Sequence, residues 1–311
     1  MNQSTNGFSR RRFLQSTGAA SLFLTLAPVA KAAMQTESIR KSIPSSGEKL
    51  SVIGLGTSRT FNVDSSNAAQ SPLVEVMQAF FDNGGQLIDS SPMYGSAEAV
   101  TGELLRNVSN KSGLFSATKV WTYGREEGIE QMQQSMRRLG VNQIDLMQIH
   151  NLRDWRTHIE TLQEWKAQGK IRYLGITTSH GRYHGELETI LQQQPLDFVQ
   201  FSYNIENRTV EQRLLPLAQE RGIATLINRP YQRGSLFRKV RGRPLPDWAT
   251  EFDCASWGQF FLKFIASHPG VTCIIPATSK LKHMVDNMAA GYGRLPDESM
   301  RQRMIEYFES L

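Results

Sequence analysis

The sequence has little cysteine, no basic tract beyond its N-terminus and no later apolar run long enough to cross a membrane. Only Cys254 and Cys273 occur among 311 residues, so neither a disulfide scaffold nor a zinc motif is expected. Both cysteines fall where small core residues fit, and we expect them to remain unpaired. Hydrophobic residues make up 40% and charged residues 21% of the chain, which is typical of a globular protein with a full core.

Positive charge is concentrated at the N-terminus. The formal net charge is +6, but residues 1–33 contain Arg10, Arg11, Arg12 and Lys31 and no acid. Residues 34–311 therefore hold 31 basic and 29 acidic side chains, without a basic run or aromatic residues interleaved with basic ones. Such a balance provides no electrostatic basis for binding a polyanion, and nucleic acid is excluded as a partner.

The first 33 residues have the organisation of an export signal. The segment Ser9 to Leu14, SRRRFL, precedes an apolar stretch and a small-x-small pattern that ends at Ala32. It resembles the twin-arginine consensus and departs from it at Gln15, where a lysine is usual. The resemblance implies the Tat export machinery as a partner, cleavage near Ala32/Ala33 and a periplasmic location for residues 34–311.

A basic amphipathic helix or a membrane anchor is the alternative interpretation of this segment. Its apolar run, Ala19 to Ala30, is shorter than the roughly 20 residues that a bilayer span requires. No later run of that length is free of charge, so no stable membrane span is predicted.

Eight short apolar runs follow one another along the rest of the chain, mostly with helical patterns between them. Their starts lie 25 to 35 residues apart, except for 47 before the last, which is typical of βαβ units. Both faces of each strand are expected to be buried because the runs are continuous rather than alternating. The runs are Val52 to Ser58, Leu87 to Ser91, Leu114 to Val120, Asp145 to Asn151, Tyr173 to Thr178, Phe198 to Asn204, Ala224 to Pro230 and Val271 to Thr278.

These units predict an α/β fold with one domain, a (β/α)8 TIM barrel over residues 34–311. An open dinucleotide-binding sheet is disfavoured because the segment Gly54 to Thr57 lacks the third glycine of the Rossmann turn. Residues Ser38 to Lys49 are predicted to form a hairpin that closes the barrel bottom. The proline- and glycine-containing stretch from Tyr231 to Thr250 is predicted to be a long loop over one barrel mouth.

Polar residues at the predicted strand ends mark the candidate active site, because the C-terminal ends of barrel strands face it. Asp89 and Tyr94 follow the second run, Lys119 ends the third and His150 ends the fourth. Each residue alone has an ordinary interpretation as a cap, a loop aromatic, a strand end or a core histidine. Together, on neighbouring strands, they can converge on one carbonyl oxygen.

The motifs around these residues resemble those of the aldo/keto reductases, and the resemblance covers essentially the whole chain after the signal. Their order and spacing match as well as their residues. The motifs span Gly54 to Thr57 (Gly-Leu-Gly-Thr), Asp89 to Gly95 (Asp-Ser-Ser-Pro-Met-Tyr-Gly), Thr118 to Trp121 (Thr-Lys-Val-Trp), Gln148 to His150 (Gln-Ile-His), Gly169 to Gly175 (Gly-Lys-Ile-Arg-Tyr-Leu-Gly), Asp197 to Gln200 (Asp-Phe-Val-Gln) and Ile275 to Thr278 (Ile-Pro-Ala-Thr).

The resemblance implies reduction of aldehydes or ketones to alcohols by hydride transfer from NADPH. Tyr94 is then the proton donor to the developing oxyanion, and Lys119 is the cation that makes a phenol a competent acid. Asp89 pairs with Lys119 in a desolvated pocket, and His150 orients the substrate oxygen.

The same resemblance assigns NADPH contacts, with NADH as the less favoured cofactor. Ala277 and His283 stand where the family often has a basic residue and an arginine, so Lys280 and Lys282 either supply that charge or lie on a solvated face. Asn228 replaces an aromatic residue that stacks on the nicotinamide, which leaves Arg229 or Tyr231 as candidates. The predicted cofactor residues are Gly56, Thr57, Thr177, Thr178, Gln200, Arg229, Thr278, Ser279, Lys280, His283 and Asn287.

Aromatic residues near the same mouth are candidates for an apolar substrate pocket. They are Trp121, Tyr123 and Trp155, with Phe61 nearby; their alternative role is to anchor loops. Two other functions remain open at this point. One is a nucleotide-binding redox sensor or accessory subunit with vestigial activity. The other is a metal-dependent hydrolase, which is disfavoured because the sequence offers no further metal ligands to accompany His150. No metal is predicted.

Overall fold

A computed structural model describes residues 37–311, and the predicted signal peptide lies outside them. The strands are β1 (Arg40–Ser42), β2 (Lys49–Ser51), β3 (Leu55–Gly56), β4 (Leu87–Asp89), β5 (Phe115–Val120), β6 (Ile144–His150), β7 (Ile171–Thr177), β8 (Phe198–Ser202), β9 (Ala224–Asn228) and β10 (Cys273–Ile274). The helices are α1 (Leu73–Asp82), α2 (Ala97–Asn107), α3 (Arg125–Leu139), α4 (Trp155–Ala167), α5 (His184–Gln193), α6 (Leu214–Glu220), α7 (Ser235–Lys239), α8 (Trp257–Ala266), α9 (Leu281–Ala289) and α10 (Glu298–Ser310).

Strands β3 to β10 form one parallel sheet in sequence order. An isolated parallel bridge between Ile53 and Ile274 joins its two edges, and the backbone N–H of Gly54 donates to the carbonyl of Ile274 at 2.7 Å. The predicted (β/α)8 barrel is therefore confirmed. The seam between β3 and β10 is its thinnest part, because each of these strands has only two residues.

The N-terminal hairpin closes one end of the barrel, as predicted. Strands β1 and β2 pair in antiparallel register, with Lys41 opposite Leu50. The buried side chains of Ile43 and Leu50 belong to the same apolar cluster as Phe115, Tyr173 and Phe198 from the barrel strands. The hairpin thus seals the barrel interior at the end opposite the strand C-termini.

The surrounding helices pack because their apolar residues recur with helical period. In α1, Leu73, Val76, Met77 and Phe80 are buried along one face, as the i, i+3, i+4 and i+7 spacing predicts. Gly140 ends α3 in the left-handed conformation, at φ 71°, which a residue without a Cβ adopts most easily.

Two details near the C-terminal half differ from or extend the prediction. The stretch from Tyr231 to Thr250 is not a plain loop, since it contains α7 and the start of a 3-10 turn at Asp247–Phe252. Apolar contacts, with Leu236 fully buried, stabilise this short helix despite the surrounding prolines and glycines.

The two cysteines, Cys254 and Cys273, are buried free thiols, as predicted.

Within the part of the chain that the structure describes, no helix is both long and apolar enough to cross a bilayer.

Candidate active site

The strand ends bring the four predicted catalytic residues to one mouth of the barrel. Asp89 ends β4 and His150 ends β6, while Lys119 lies one residue before the end of β5 between them. The hydrogen-bond register of these parallel strands places Asp89 opposite Ala117 and Lys119 opposite Gln148. Tyr94 is the last residue of a 3-10 turn, Pro92–Tyr94, which follows β4 along the chain.

A fully buried ion pair lies at the centre of the site. The ammonium Nζ of Lys119 donates to Oδ2 of Asp89 at 2.6 Å and to the carbonyl of Ser90 at 2.7 Å, and the two charged side chains are 0% and 2% exposed. Burial disfavours the charged lysine, but Asp89 and Tyr94 outweigh it and raise the pKa of Lys119. The ammonium therefore stays charged in a desolvated pocket.

Two buried glutamines complete the surroundings of Asp89. The amide nitrogens of Gln148 and Gln200 donate to Oδ1 at 2.9 Å and 3.1 Å, so both carboxylate oxygens are satisfied. Gln200 also donates to Oε1 of Gln148 at 3.0 Å. Gln148 was not assigned a role from sequence, although it lies two residues before His150 in a strand and hence on the same face.

Tyr94 lies against both the lysine and the histidine. Its ring centroid is 5.1 Å from Nζ of Lys119 and 5.7 Å from that of His150, edge to face. Burial raises the pKa of Tyr94, while the charge of Lys119 lowers it in part. The lysine therefore offsets, without reversing, the effect of burial, and the phenol holds its proton at neutral pH.

His150 is held neutral by its surroundings. Burial, reinforced by the charges of Lys119 and Arg153, lowers its pKa to about 2. Its Nδ1 lies 2.9 Å from Oγ of Ser91, which fixes the ring orientation. A neutral imidazole at this position can donate or accept one hydrogen bond towards a substrate oxygen without adding charge. Sequence reasoning did not assign Ser91, which also caps the turn that carries Tyr94.

The predicted cofactor residues Gly56 and Thr57, at the C-terminal end of β3, lie beside Asp89. Gly56 is buried, and a Cβ at this position would lie 2.8 Å from the carbonyl of Ile275, so the close approach of β3 to the segment after β10 requires glycine. The backbone N–H and the hydroxyl of Thr57 both donate to the carbonyl of Asp89, at 3.1 Å and 3.0 Å. Both residues thus shape the mouth where β3 meets β4.

Three of the predicted cofactor residues, Thr177, Thr178 and Gln200, are buried at the ends of β7 and β8. The hydroxyl of Thr177 donates to Oε1 of Gln200 at 3.4 Å, and that of Thr178 donates to the carbonyl of His180 at 3.1 Å. Asn228 donates to the same oxygen of Gln200 at 3.2 Å. Gln200 is therefore hydrogen-bonded to several side chains of the protein, among them Asp89, which it helps to hold in place.

Of the two candidates for the position beside the nicotinamide, Tyr231 has other contacts. Its hydroxyl donates to Oδ1 of Asn287 at 2.5 Å, and its ring packs on Phe237 at 4.8 Å between centroids. Arg229 is half-buried, has a left-handed backbone at φ 52°, and its charge acts on Tyr94. The geometry therefore favours Arg229 over Tyr231 at this position.

Arg229 belongs to a group of cations. Burial and the charges of Arg233 and Arg59 lower its pKa. None of these three arginines has an ion-pair partner among residues 37–311. The mouth between β3 and β9 is therefore a region where an anionic group is stabilised.

The segment after β10 exposes further donors at the start of α9. Thr278 is buried and its hydroxyl accepts the backbone N–H of Lys280 at 3.1 Å, whereas Ser279, Lys280 and His283 are exposed. Asn287, on the same helix, is 4% exposed and accepts from Tyr231. The donor set at this end is cationic and hydroxylic, which is chemistry suited to a phosphate.

The predicted pocket aromatics divide into two groups. Trp121 is half-exposed and its ring centroid lies 6.4 Å from that of His150, while Tyr123 is 66% exposed nearby. Trp155 instead begins α4, is buried in the main core and donates from its indole nitrogen to Glu186 of α5 at 2.8 Å. Phe61 is fully buried. We therefore correct the assignment of Trp155, and with it Phe61, from pocket lining to packing.

Metal ligands were not predicted. Among residues 37–311 no group of three or more histidine, cysteine or acidic side chains is placed to hold an ion.

Comparison with known proteins agrees with this fold. The sequence profile of the aldo/keto reductase family matches residues 52–304, which is most of the chain. The chain belongs to the aldo/keto reductase family. The predicted enzyme class, an oxidoreductase of this family, is thereby confirmed.

Several individual relatives are similar over long stretches. The methylglyoxal reductase YeaE of Escherichia coli is 27% identical over 80% of this chain and 89% of its own length. The aldo-keto reductase YhdN of Bacillus subtilis is 28% identical, and the match covers 64% of each protein. Among solved structures, an aldo-keto reductase from Klebsiella pneumoniae in complex with NADPH superposes with a TM-score of 0.71 at 22% identity, covering 87% of this chain and 95% of that one.

Proposed function

We propose that this protein is an NADPH-dependent reductase of aldehyde or ketone carbonyls, with Tyr94 as the general acid. One observation carries the proposal: the ammonium Nζ of Lys119, buried and paired with Asp89, lies 5.1 Å from the ring centroid of Tyr94. Burying an ion pair costs desolvation free energy and adds little net stability, so an ion pair in such a place indicates a functional role. A cation beside a phenol stabilises the phenolate that forms when the phenol donates its proton.

The chain's own residues account for the proton transfer. As negative charge develops on the carbonyl oxygen, Tyr94 donates its phenolic proton to that oxygen. The phenolate that remains is stabilised by the adjacent ammonium of Lys119, which Asp89 and the carbonyl of Ser90 hold in place. The neutral His150 donates a hydrogen bond that orients the substrate oxygen, with Ser91 fixing its ring.

The residues present suit a dinucleotide phosphate. The guanidinium groups of Arg229, Arg59 and Arg233, which have no ion-pair partner within residues 37–311, fit a pyrophosphate, and Ser279 and Lys280 at the start of α9 fit a further phosphate. Bound NADPH supplies the hydride that reduces the carbonyl carbon. The NADPH complex of the Klebsiella relative supports this choice of cofactor.

The cofactor preference can be measured by fluorescence titration of the purified protein with NADPH and with NADH. We expect tighter binding of NADPH, and we expect Lys280→Met to weaken that binding by about tenfold while affecting NADH much less. Lys170→Met, an exposed lysine before β7 at the opposite barrel end, is the matched control. Equal losses of affinity for NADPH and NADH would show that Lys280 does not bind the additional phosphate of NADPH.

Turnover separates this proposal from the alternative of a redox sensor or accessory subunit. We expect NADPH to be oxidised in the presence of simple aldehydes. Tightly bound NADPH without turnover of any aldehyde or ketone would favour the sensor instead.

We also propose that the protein is exported folded to the periplasm by the twin-arginine route, supported by the SRRRFL segment. Arg10→Lys combined with Arg11→Lys is expected to retain the full chain in the cytoplasm of a Gram-negative host. Arg12→Lys, the neighbouring position outside the twin pair, is expected to leave export intact. Periplasmic extracts analysed by immunoblot measure both, and export of the double variant would contradict the route.

A further inference from the structure

The turn that follows β6 has an unusual backbone. Asn151, Leu152 and Asp154 have φ values of 54°, 56° and 46°, which is the left-handed region that L-residues avoid. A leucine in this conformation is particularly uncommon. Strained residues of this kind persist where a site requires them, and this turn places Arg153 three residues after His150.

The guanidinium of Arg153 lies on an aromatic platform at the mouth. Its central carbon is 4.3 Å from the ring centroid of Trp121 and 4.9 Å from that of Tyr123. Stacking holds the planar group by its face and leaves the N–H donors at its edges free. Along residues 37–311 its side chain makes neither an ion pair nor a hydrogen bond, whereas its backbone N–H donates to the carbonyl of His150.

The acids closest in sequence and on the adjacent helix have other partners. Asp154 accepts from the backbone N–H of Gly124 at 2.8 Å and from the hydroxyl of Thr157 at 2.9 Å. Glu186 accepts from the indole of Trp155. The charge of Arg153 is thus not neutralised by them, and it contributes to the lowered pKa of His150.

Sheet order separates Arg153 from the cations assigned to the cofactor. Arg59 follows β3, and Arg229 and Arg233 follow β9, next to the β10 segment that leads into α9. In the order β10-β9-β8-β7-β6-β5-β4-β3, β6 is three strands from β9 and from β3. Arg153 is therefore on the His150 and Trp121 side of the mouth.

We infer that Arg153 binds a negatively charged group of the substrate, so that the enzyme selects carbonyl compounds that also carry a carboxylate or a phosphate. This substrate class rests on the proposed reductase function. In this proposal the carbonyl lies at Tyr94 and His150 and the anion at the edges of the Arg153 guanidinium, where a planar fork of N–H donors matches an oxyanion. A substrate with its carbonyl at one end and its anionic group at the other makes both contacts.

Matched pairs of aldehydes test the inference. The carboxylate arm compares 4-carboxybenzaldehyde with 4-methylbenzaldehyde, and the phosphate arm compares glyceraldehyde 3-phosphate with glyceraldehyde. The purified protein with NADPH is expected to show a higher kcat/KM for the charged member of at least one pair. The arm with the larger ratio identifies the anion.

Variants then assign the preference to one side chain. Arg153→Gln is expected to lower the charged-to-neutral ratio of kcat/KM by about tenfold or more, mainly through KM, and Arg153→Lys to retain part of it. Arg156→Gln is the matched control, since this exposed arginine also stacks on a tryptophan, Trp155, at 4.4 Å; it should keep the wild-type ratio.

A binding measurement keeps this inference distinct from the reductase proposal. Benzoate titrated into the protein with NADP+ by calorimetry is expected to bind about tenfold more weakly to Arg153→Gln than to wild type. If no aldehyde is reduced, the reductase proposal fails, and the benzoate titration still decides whether Arg153 binds anions. Equal ratios for both aldehyde pairs in wild type and Arg153→Gln, with unchanged benzoate affinity, overturn the inference.

Discussion

Tyr94→Phe is expected to lower kcat for carbonyl reduction by a factor of about 100 to 10,000, because the substitution removes the only atom of this side chain that carries a transferable proton. The ring remains, so its contacts with Lys119 and His150 are retained. Steady-state NADPH oxidation with a saturating aldehyde measures the effect. A titration with NADPH is expected to show that cofactor binding is preserved.

Tyr183→Phe is the matched control for this variant. Tyr183 is a half-buried tyrosine in the turn after β7, at the same barrel mouth, and it has no assigned role. Near-wild-type kcat in Tyr94→Phe, or an equal loss in Tyr183→Phe, would refute Tyr94 as the proton donor.

Lys119→Met is expected to have the second large effect, and it acts on stability as well as activity. It leaves the carboxylate of Asp89, 2% exposed, without its cation. Breaking a buried pair by removing one partner costs about 3–5 kcal/mol of the free energy of unfolding. Urea denaturation measures this loss, and NADPH oxidation should show turnover close to zero.

The double variant Asp89→Asn with Lys119→Met separates the unpaired charge from the loss of packing. We expect it to be more stable than Lys119→Met alone, because no uncompensated carboxylate remains in the barrel. Its activity should nevertheless stay low, since the cation beside Tyr94 is still missing. If the single variant is as stable as the double variant, the ion pair is not what the substitution disrupts.

The barrel could be predicted from sequence because continuous apolar runs identify buried parallel strands wherever they occur. The first and last residues of the strands could not be predicted as well. The run Val271 to Thr278 contains only two ladder residues, Cys273 and Ile274, because hydrophobicity records burial and not hydrogen bonding. Helix α7 was missed since Leu236 stabilises it through tertiary contacts, while its neighbours include helix-breaking residues.

The four predicted catalytic residues lie at one mouth because each stands at, next to or shortly after the C-terminal end of a strand, and strand ends can be located from sequence. Trp155 was misplaced for the opposite reason: being near the mouth in sequence does not determine whether a ring faces the opening or the core. Arg153 was not assigned a role because its position depends on three left-handed residues. Asn151 and Asp154 are of types that adopt this conformation more often than most, but Leu152 is not, and the sequence does not predict all three in one turn.

The seam between β3 and β10 joins segments from opposite ends of the barrel sequence. Gly56 and Thr57 lie on one side of it and Thr278 to His283 on the other, so the proposed dinucleotide site is complete only once the last strand has docked against the first. A chain that has not reached that step contains Lys119 and His150 but has not yet brought together the two sides of the proposed nucleotide site. In the proposed reductase, nucleotide occupancy would then mark a chain that has finished folding, and if the proposed export takes place, a protein that carries nucleotide before export would be one whose barrel has already closed.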